Sequence, residues 1–314
     1  MVKRFAFSLL IFIAVFISPV SSANAQWRLG TPVPQAVPNA SAVAQDDIIY
    51  LLSGSVGNGL RRFFEAYDVR GDGWRPLTPL PVDRLQFAMS AGSGQIITTG
   101  GRVSGSSKIS DGAWMFSPAK GQWSQLNPMP GRRADHVSAI VGQSLYVFGG
   151  TGDEVDKIYL YSMNTGLWSI LKAPMPVPVS QTAIMVKGDD IIIAGGVTAD
   201  GKATAIVQSF DTKTRNWRRL PSLPHPLIGA AMGLLDDGIH VFGGYTNAPQ
   251  KTYNVHYLLS SRGNWVKQAN LPEARHHAGY AVVNDEVFII GGAVGSGFYA
   301  LFTATDTVHI YAKK

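Results

Sequence analysis

Residues 145–168 read LYVFGGTGDEVDKIYLYSMNTGLW: an apolar run closed by two glycines, an alternating run, and a tryptophan eighteen residues past the second glycine. Met once, this is a strand, a loop and a hairpin. The same order recurs along the chain. Tryptophans stand at 27, 74, 123, 168, 217 and 265, with gaps of 47, 49, 45, 49 and 48 residues. Small pairs close apolar runs at Ser53-Gly54, Gly100-Gly101, Gly149-Gly150, Gly195-Gly196, Gly243-Gly244 and Gly291-Gly292, spaced by 46 to 49. A period held through six copies marks a repeat architecture.

Each unit keeps one internal order. A proline-rich turn such as LNPMPGRR (126–133) leads into a small-residue strand such as VSAIV (137–141) or AGYAVV (278–283). A tight polar turn and a fully apolar strand follow, as in SLYVF (144–148), DIIIA (190–194), GIHVF (238–242) and EVFII (286–290). After the glycines comes an alternating strand whose last aromatic precedes the tryptophan by seven residues: Tyr67/Trp74, Phe116/Trp123, Tyr161/Trp168 and Phe210/Trp217. In the fifth unit Tyr257 is eight before Trp265. Short runs bounded by Gly and Pro read as strands, four per unit in up-and-down order. The small-residue strands suit a crowded central axis, the glycines let the backbone leave the sheet, and the tryptophan fills space between neighbouring sheets. The expected fold is an all-β, six-bladed β-propeller of antiparallel sheets.

The ends predict how the ring closes. Trp27 has no strands of its own before it, and TDTVHIYAKK (305–314) supplies a third strand without a tryptophan strand. Pairing of Gln26–Leu29 with the last unit would complete six four-stranded sheets and hide their edges.

Residues 1–25 read separately. Lys3 and Arg4, the apolar AFSLLIFIAVFISPV (5–19) and Ala23-Asn24-Ala25 have the form of a cleaved export signal. The apolar run is shorter than the roughly 20 residues that span a bilayer. The expectation is a leader over 1–25, one propeller domain over 26–314, and export, to the periplasm or beyond the cell. Removing Lys3 and Arg4 lowers the net charge from +6 to +4, that is 25 basic against 21 acidic residues. No basic run exceeds two residues, which argues against nucleic acid as a partner. With no cysteine, disulfides and thiolate metal sites are excluded. No metal, cofactor or membrane span of the mature chain is expected.

The FGG, AGG and IGG strand ends, the aromatic-to-tryptophan spacing and the period resemble Kelch repeats over the whole mature chain. That resemblance implies the propeller; activity varies across the family. It includes partner-binding modules, copper-radical galactose oxidases and six-bladed, exported sialic acid mutarotases. The oxidases need a cysteine cross-linked to tyrosine, which this chain lacks. The mutarotases resemble it in length, blade number and leader, and the resemblance implies a catalytic Glu directly after a strand-ending glycine with an Arg a few positions on. Here those positions hold Ser55, Arg102, Thr151, Val197, Tyr245 and Ala293. The nearest acid is Glu154, followed by Lys157.

Up-and-down order puts the lead-in turns and the loops after the glycines on one rim of the channel. Sixteen residues before each pair stand Val37, Arg84, Arg133, Val179, Leu227 and Arg275; two further on stand Asn39, Gln86, Asp135, Gln181, Gly229 and His277, and His136 is next after Asp135. Arg84, Arg102, Arg133 and Arg275 form a candidate clamp for a carboxylate, because guanidinium binds it bidentately and stays charged. The alternative is that such arginines tie the turns to neighbouring carbonyls, as the R-x-x-H of Kelch repeats does. Asp135, His136, Glu154 and His277 are candidate acid–base groups. Asp135 reads equally as half of a structural ion pair. Asn39, Gln86, Gln181, Tyr245 and Tyr299 complete the candidate ligand contacts, Tyr299 from the Gly-rich loop 291–306 that also carries Phe298 and Phe302. His276 and His277, adjacent on a strand, would point to opposite faces and not chelate together; His240 reads as a packed core residue. The leading expectation is a non-catalytic ligand-binding propeller taking an acidic sugar or a protein segment at the rim. The alternative is a mutarotase or epimerase acting on an acidic sugar.

Overall fold

The computed structural model describes residues 26–53, 63–296 and 303–313. Six four-stranded antiparallel sheets stand as blades around an axis. Blade 3 is representative: Val137–Val141 innermost, then Ser144–Phe148, Ile158–Ser162 and Leu167–Leu171 outermost. The other inner strands are Ser41–Gln45, Ala88–Gly92, Ala183–Lys187, Ala231–Leu235 and Gly279–Val283. They crowd as their composition requires. A Cβ on Gly92 would stand 2.6 Å from Ile140 Cγ2, and Ser90 Oγ lies 2.5 Å from Ser138 Oγ on the next blade.

Ring closure follows the predicted route. Gln26–Gly30 is the outer strand of the sheet built from Gly279–Val283, Glu286–Ile290 and Val308–Ala312. Its register runs from Gln26 opposite Ala312 to Gly30 opposite Val308. The sheet is therefore made from both ends of the described chain, and no outer strand is missing from any blade. Residues 1–25, where the export signal is expected, lie outside the described residues, as does Ser55. No helix among the described residues is long and apolar enough to cross a membrane.

The periodic tryptophans tie blade to blade. Each indole N–H donates to a backbone carbonyl just past the outer strand of the preceding blade: Trp74 to Thr31 at 2.9 Å, Trp123 to Thr78 at 2.8 Å, Trp168 to Asn127 at 2.8 Å. Trp217 reaches Ala173, Trp265 reaches Pro221 and Trp27 reaches Ala269. The seven-residue aromatic spacing is cross-strand pairing: Tyr67 faces Trp74, Phe116 faces Trp123, Tyr161 faces Trp168 and Phe210 faces Trp217. Blade 5 departs because Trp265 pairs with Leu259, two residues beyond Tyr257.

The glycine pairs have a reason beyond leaving the sheet. Gly149 and Gly150 have φ of 61° and 91°, which glycine alone adopts without cost. The Gly150 N–H donates to the Val179 carbonyl of blade 4 at 2.8 Å, and a Cβ on Gly149 would overlap that same oxygen. The same bond recurs from Gly101 to Arg133, Gly196 to Leu227, Gly244 to Arg275 and Gly292 to Val37. Each of these five pairs docks its blade on the lead-in turn of the next.

Candidate functional site

Two residues before each inner strand the chain turns, and it turns the same way in every blade. Asn39, Gln86, Asp135, Gln181, Gly229 and His277 all have φ between 49° and 58°. This left-handed conformation is uncommon for side-chain-bearing residues other than Asn and Asp. It is held by backbone bonds that run round the axis: Asp135 N to Gln86 O at 2.8 Å, Gln181 N to Asp135 O at 3.0 Å, Gly229 N to Gln181 O at 2.9 Å, His277 N to Gly229 O at 2.8 Å. The turns form the rim of a cavity of about 730 Å³ lined by these six residues and, deeper, by the inner strands.

On one side of the rim the polar groups converge on Asp135. Arg102, just past its glycine pair, donates from Nε to Gln86 Oε1 at 2.7 Å and from Nη2 to Thr151 Oγ1 at 3.3 Å. These bonds, with a third from Nη1 to the Ser107 carbonyl at 3.4 Å, hold a partly buried guanidinium beside the rim, outside the residues that line the cavity. Burial pushes the Asp135 carboxyl up to about 6, and the Arg102 charge pulls in the opposite direction. The Asp135 carboxylate makes no hydrogen bond among the described residues. It is a partly desolvated acid, balanced by a cation and open to the cavity, that titrates near neutrality.

Across the mouth stands a second group. His277 Nε2 lies 3.2 Å from Gln181 Oε1, and the Tyr245 hydroxyl donates to the same oxygen at 3.4 Å. Gly229 makes this possible, since a Cβ there would press within 2.9 Å of the imidazole. His276 Nδ1 lies 2.7 Å from His277 Nδ1, and its Nε2 2.9 Å from the Gly295 carbonyl. The expectation that adjacent histidines point apart is overturned. It assumed strand geometry, whereas His277 sits in the left-handed turn and its ring swings back to its neighbour. The rings face one another nitrogen to nitrogen, with centroids 5.0 Å apart, so a proton fits between them and a metal ion does not. Burial, reinforced by His276, pushes His277 down to about 3. Among the described residues no three metal-ligating side chains gather.

Several predicted residues are engaged elsewhere, although His136 also lines the cavity. Arg133 is 0% exposed and donates to the carbonyls of Gly149, Asp153, Glu154 and Lys157 within its own blade. Arg275 is 1% exposed and donates in the equivalent way to Gly291, and also to Thr307 and Glu273. Both are struts between turn and strand end, the alternative weighed for these arginines, so the four-arginine clamp reduces to Arg102. Arg84 turns to its own blade, bonding the Asp83 carbonyl at 3.2 Å. His136 is buried with Nε2 2.8 Å from Thr99 Oγ1, and burial, with the Arg133 charge, pushes it down to about 3. It follows the turn and so points back between blades 2 and 3. Glu154 is exposed on its loop and does not line the cavity. Tyr299, Phe298 and Phe302 lie outside the described residues.

A family model described as the KLHDC2/KLHL20/DRC7 Kelch-repeats domain matches residues 135–312, more than half the chain, and the Kelch motif model matches residues 83–130. The chain belongs to the Kelch-repeat family. Kelch propellers commonly serve as protein-interaction scaffolds. Among curated relatives it is similar to Kelch-like protein terF of Aspergillus terreus (strain NIH 2624 / FGSC A1156), 31% identical over 205 residues, covering 60% of this chain and 44% of that one. It is 30% identical over 176 residues to Kelch-like protein 35 of Mus musculus, covering 54% and 30%. The matched part thus spans less than half the length of these relatives. A solved structure, that of YjhT, superposes with a TM-score of 0.77 over 89% of this chain and 96% of that one at 18% identity. At that identity the likeness is one of fold.

Within this Kelch propeller, sequence reasoning missed Tyr280 and Thr151. Tyr280 lines the cavity, and its signal was legible: a lone phenol in the small-residue strand AGYAVV. Thr151 had no such signal, because its role depends on where Arg102 lands. His240 is in the core, but as part of a polar chain: Asp237 Oδ1 lies 2.8 Å from His240 Nε2, and His240 Nδ1 lies 2.8 Å from His256 Nε2.

Proposed function

We propose that this propeller binds a small, carboxylate-bearing polyhydroxy ligand, an acidic sugar of the sialic acid class, at the mouth of its channel. The observation that carries the reading is the Asp135 carboxylate, open to a cavity of about 730 Å³ and within the field of the Arg102 guanidinium. Arg102 takes the ligand carboxylate, for which a guanidinium held by Gln86 and Thr151 is pre-oriented. Asp135, Asn39, Gln181 and His277 supply acceptors and donors for hydroxyls. A protein segment bearing an acidic side chain satisfies Arg102 equally, and the scaffold role common among Kelch propellers supports keeping it as the competing ligand.

One observation favours a second reading, sugar mutarotation. A carboxyl pushed up to about 6 exchanges protons readily near neutrality, and opening a cyclic hemiacetal requires a proton delivered to the ring oxygen and one removed from the anomeric hydroxyl. Asp135 is the group placed for that exchange. The resemblance to sialic acid mutarotases puts the acid on a different loop, after a glycine pair, so this chemistry would use its own site.

NMR of freshly dissolved α-N-acetylneuraminate tests both readings. Line broadening that Arg102→Ala removes supports binding; faster approach to the β anomer, lost in Asp135→Asn, supports mutarotation. Neither effect in the wild-type protein rejects the acidic sugar.

A further inference from the structure

Two side chains of blade 6 pass over blade 5 to reach blade 4. At the rim this is His277, 3.2 Å from Gln181. Three residues further along, the Tyr280 hydroxyl accepts from the Ile184 N–H at 3.0 Å and donates to the Ile184 carbonyl at 3.0 Å. His277 and Gln181 sit in the rim turns, whereas Tyr280 and Ile184 lie inside the inner strands Gly279–Val283 and Ala183–Lys187, so the second bridge lies deeper in the channel than the first. Blade 5 gives way at the rim and again one residue below the Tyr280 level, which Met232 holds. Gly229 leaves room for the imidazole, and Gly233 lets blade 6 close in, since a Cβ there would stand 2.8 Å from Val282 Cγ2.

The same level of the other blades holds Ala42, Met89, Ser138, Ile184 and Met232, none long and polar enough to span. The Ile184 N–H and C=O belong to the free, axis-facing edge of an inner strand, where a backbone group needs a partner. Tyr280 supplies it from the far side. Burial pushes its phenol up to about 12, so it stays a neutral donor and acceptor. Above the bridge the lining runs from the polar rim through small and apolar side chains such as Ala40, Phe87 and Ala230. Below it come Ile140, Val186, Leu234 and Val282.

We propose that Tyr280 forms part of the floor of the ligand cup, narrowing the single cavity beneath its rim on the side of blades 4 to 6 and limiting the ligand to a compact molecule of about one sugar ring. The size limit rests on the mouth being a ligand site; the floor itself does not. N-acetylneuraminate fits this class because its N-acyl group lies across the ring from the carboxylate. With the carboxylate on Arg102, that group points down the channel, and Tyr280 decides how long it can be.

Two measurements test this. In Tyr280→Phe, which keeps the ring and loses only the hydroxyl, the Ile184 amide should exchange with solvent at least about tenfold faster than in wild type. Unchanged exchange overturns the floor. Second, wild type should bind N-acetylneuraminate at least about tenfold more tightly than N-hexanoylneuraminate, and Tyr280→Ala should close that gap. An equal preference in both proteins overturns the size limit. If neither sugar binds either protein, the ligand reading fails and the amide measurement alone decides the floor.

Discussion

Two arginines of the predicted clamp separate into different jobs, and substitution should expose the difference. Arg133 is a buried cation whose guanidinium is spent on four carbonyls. Arg133→Ala leaves those acceptors unpaired and should cost about 3 to 5 kcal/mol, read by chemical denaturation. Arg102→Ala removes a partly buried side chain and should change stability by less than about 1 kcal/mol while abolishing binding of N-acetylneuraminate. Equal losses of stability would contradict the assignment. Asp135 carries the opposite sign. Its folded carboxyl titrates near 6 against an ordinary 3.8, so the folded state holds a proton that the unfolded chain has released. The resulting penalty is absent below about pH 3.8, grows between the two values and is complete above about pH 6. Asp135→Asn should therefore stabilise the protein by roughly 1 to 3 kcal/mol at pH 7 and by almost nothing at pH 3.5. A residue kept at a cost to stability is what a working site contains.

At the scale of strands and turns, the sequence made the repeated features readable and hid the exceptions. Tryptophan spacing and glycine pairs recur because every blade must grip the next in the same way, so their period survives in the chain. Arg133, Arg275 and Arg84 share one register position, yet only the first two insert under their own glycine pair. Register fixes a position on the rim and does not fix a rotamer. The His276 and His277 rings meet because one backbone angle is left-handed, which strand alternation could not reveal. Histidines concentrate in these inter-blade positions and set an acid limit for the fold. Burial holds His136, His256 and His277 at about 3, and His309 at about 4, with neighbouring charges helping in each case. A folded value below the ordinary 6.5 means stability that is full above about pH 6.5 and lost as pH falls toward the folded values. Each contributes up to about 1.4 kcal/mol per pH unit in that window, outweighing the opposite trend of Asp135. The melting temperature should fall steadily from pH 7 to pH 5, and His256→Gln should flatten that slope; a flat wild-type profile would place these rings in water.

A propeller without disulfides holds together because its last sheet borrows the first strand, and this dictates where the whole molecule is weakest. Gln26–Gly30 covers the edge of Val308–Ala312 through a five-residue register. Trp27 lies 5.1 Å from the Tyr311 ring and edge-on to Phe242 of blade 5 at 5.8 Å. The strand thus joins blade 6 to both its own sheet and its neighbour. Trp27→Ala removes the aromatic contacts and keeps the backbone ladder, and should cost about 2 to 4 kcal/mol. A chain beginning after Gly30 loses the ladder as well and leaves Val308–Ala312 as an open edge, which pairs with other copies. Its unfolding temperature should drop by at least about 10 °C, and it should elute from a sizing column as a mixture of larger species. Adding the peptide QWRLG in trans should partly restore the lost temperature, since the gap it fills is preformed by the other three strands. Equal melting of the full and shortened chains would mean that five complete blades suffice and that closure contributes nothing. A monomeric but destabilised short chain would assign the loss to Trp27 packing rather than to the exposed edge.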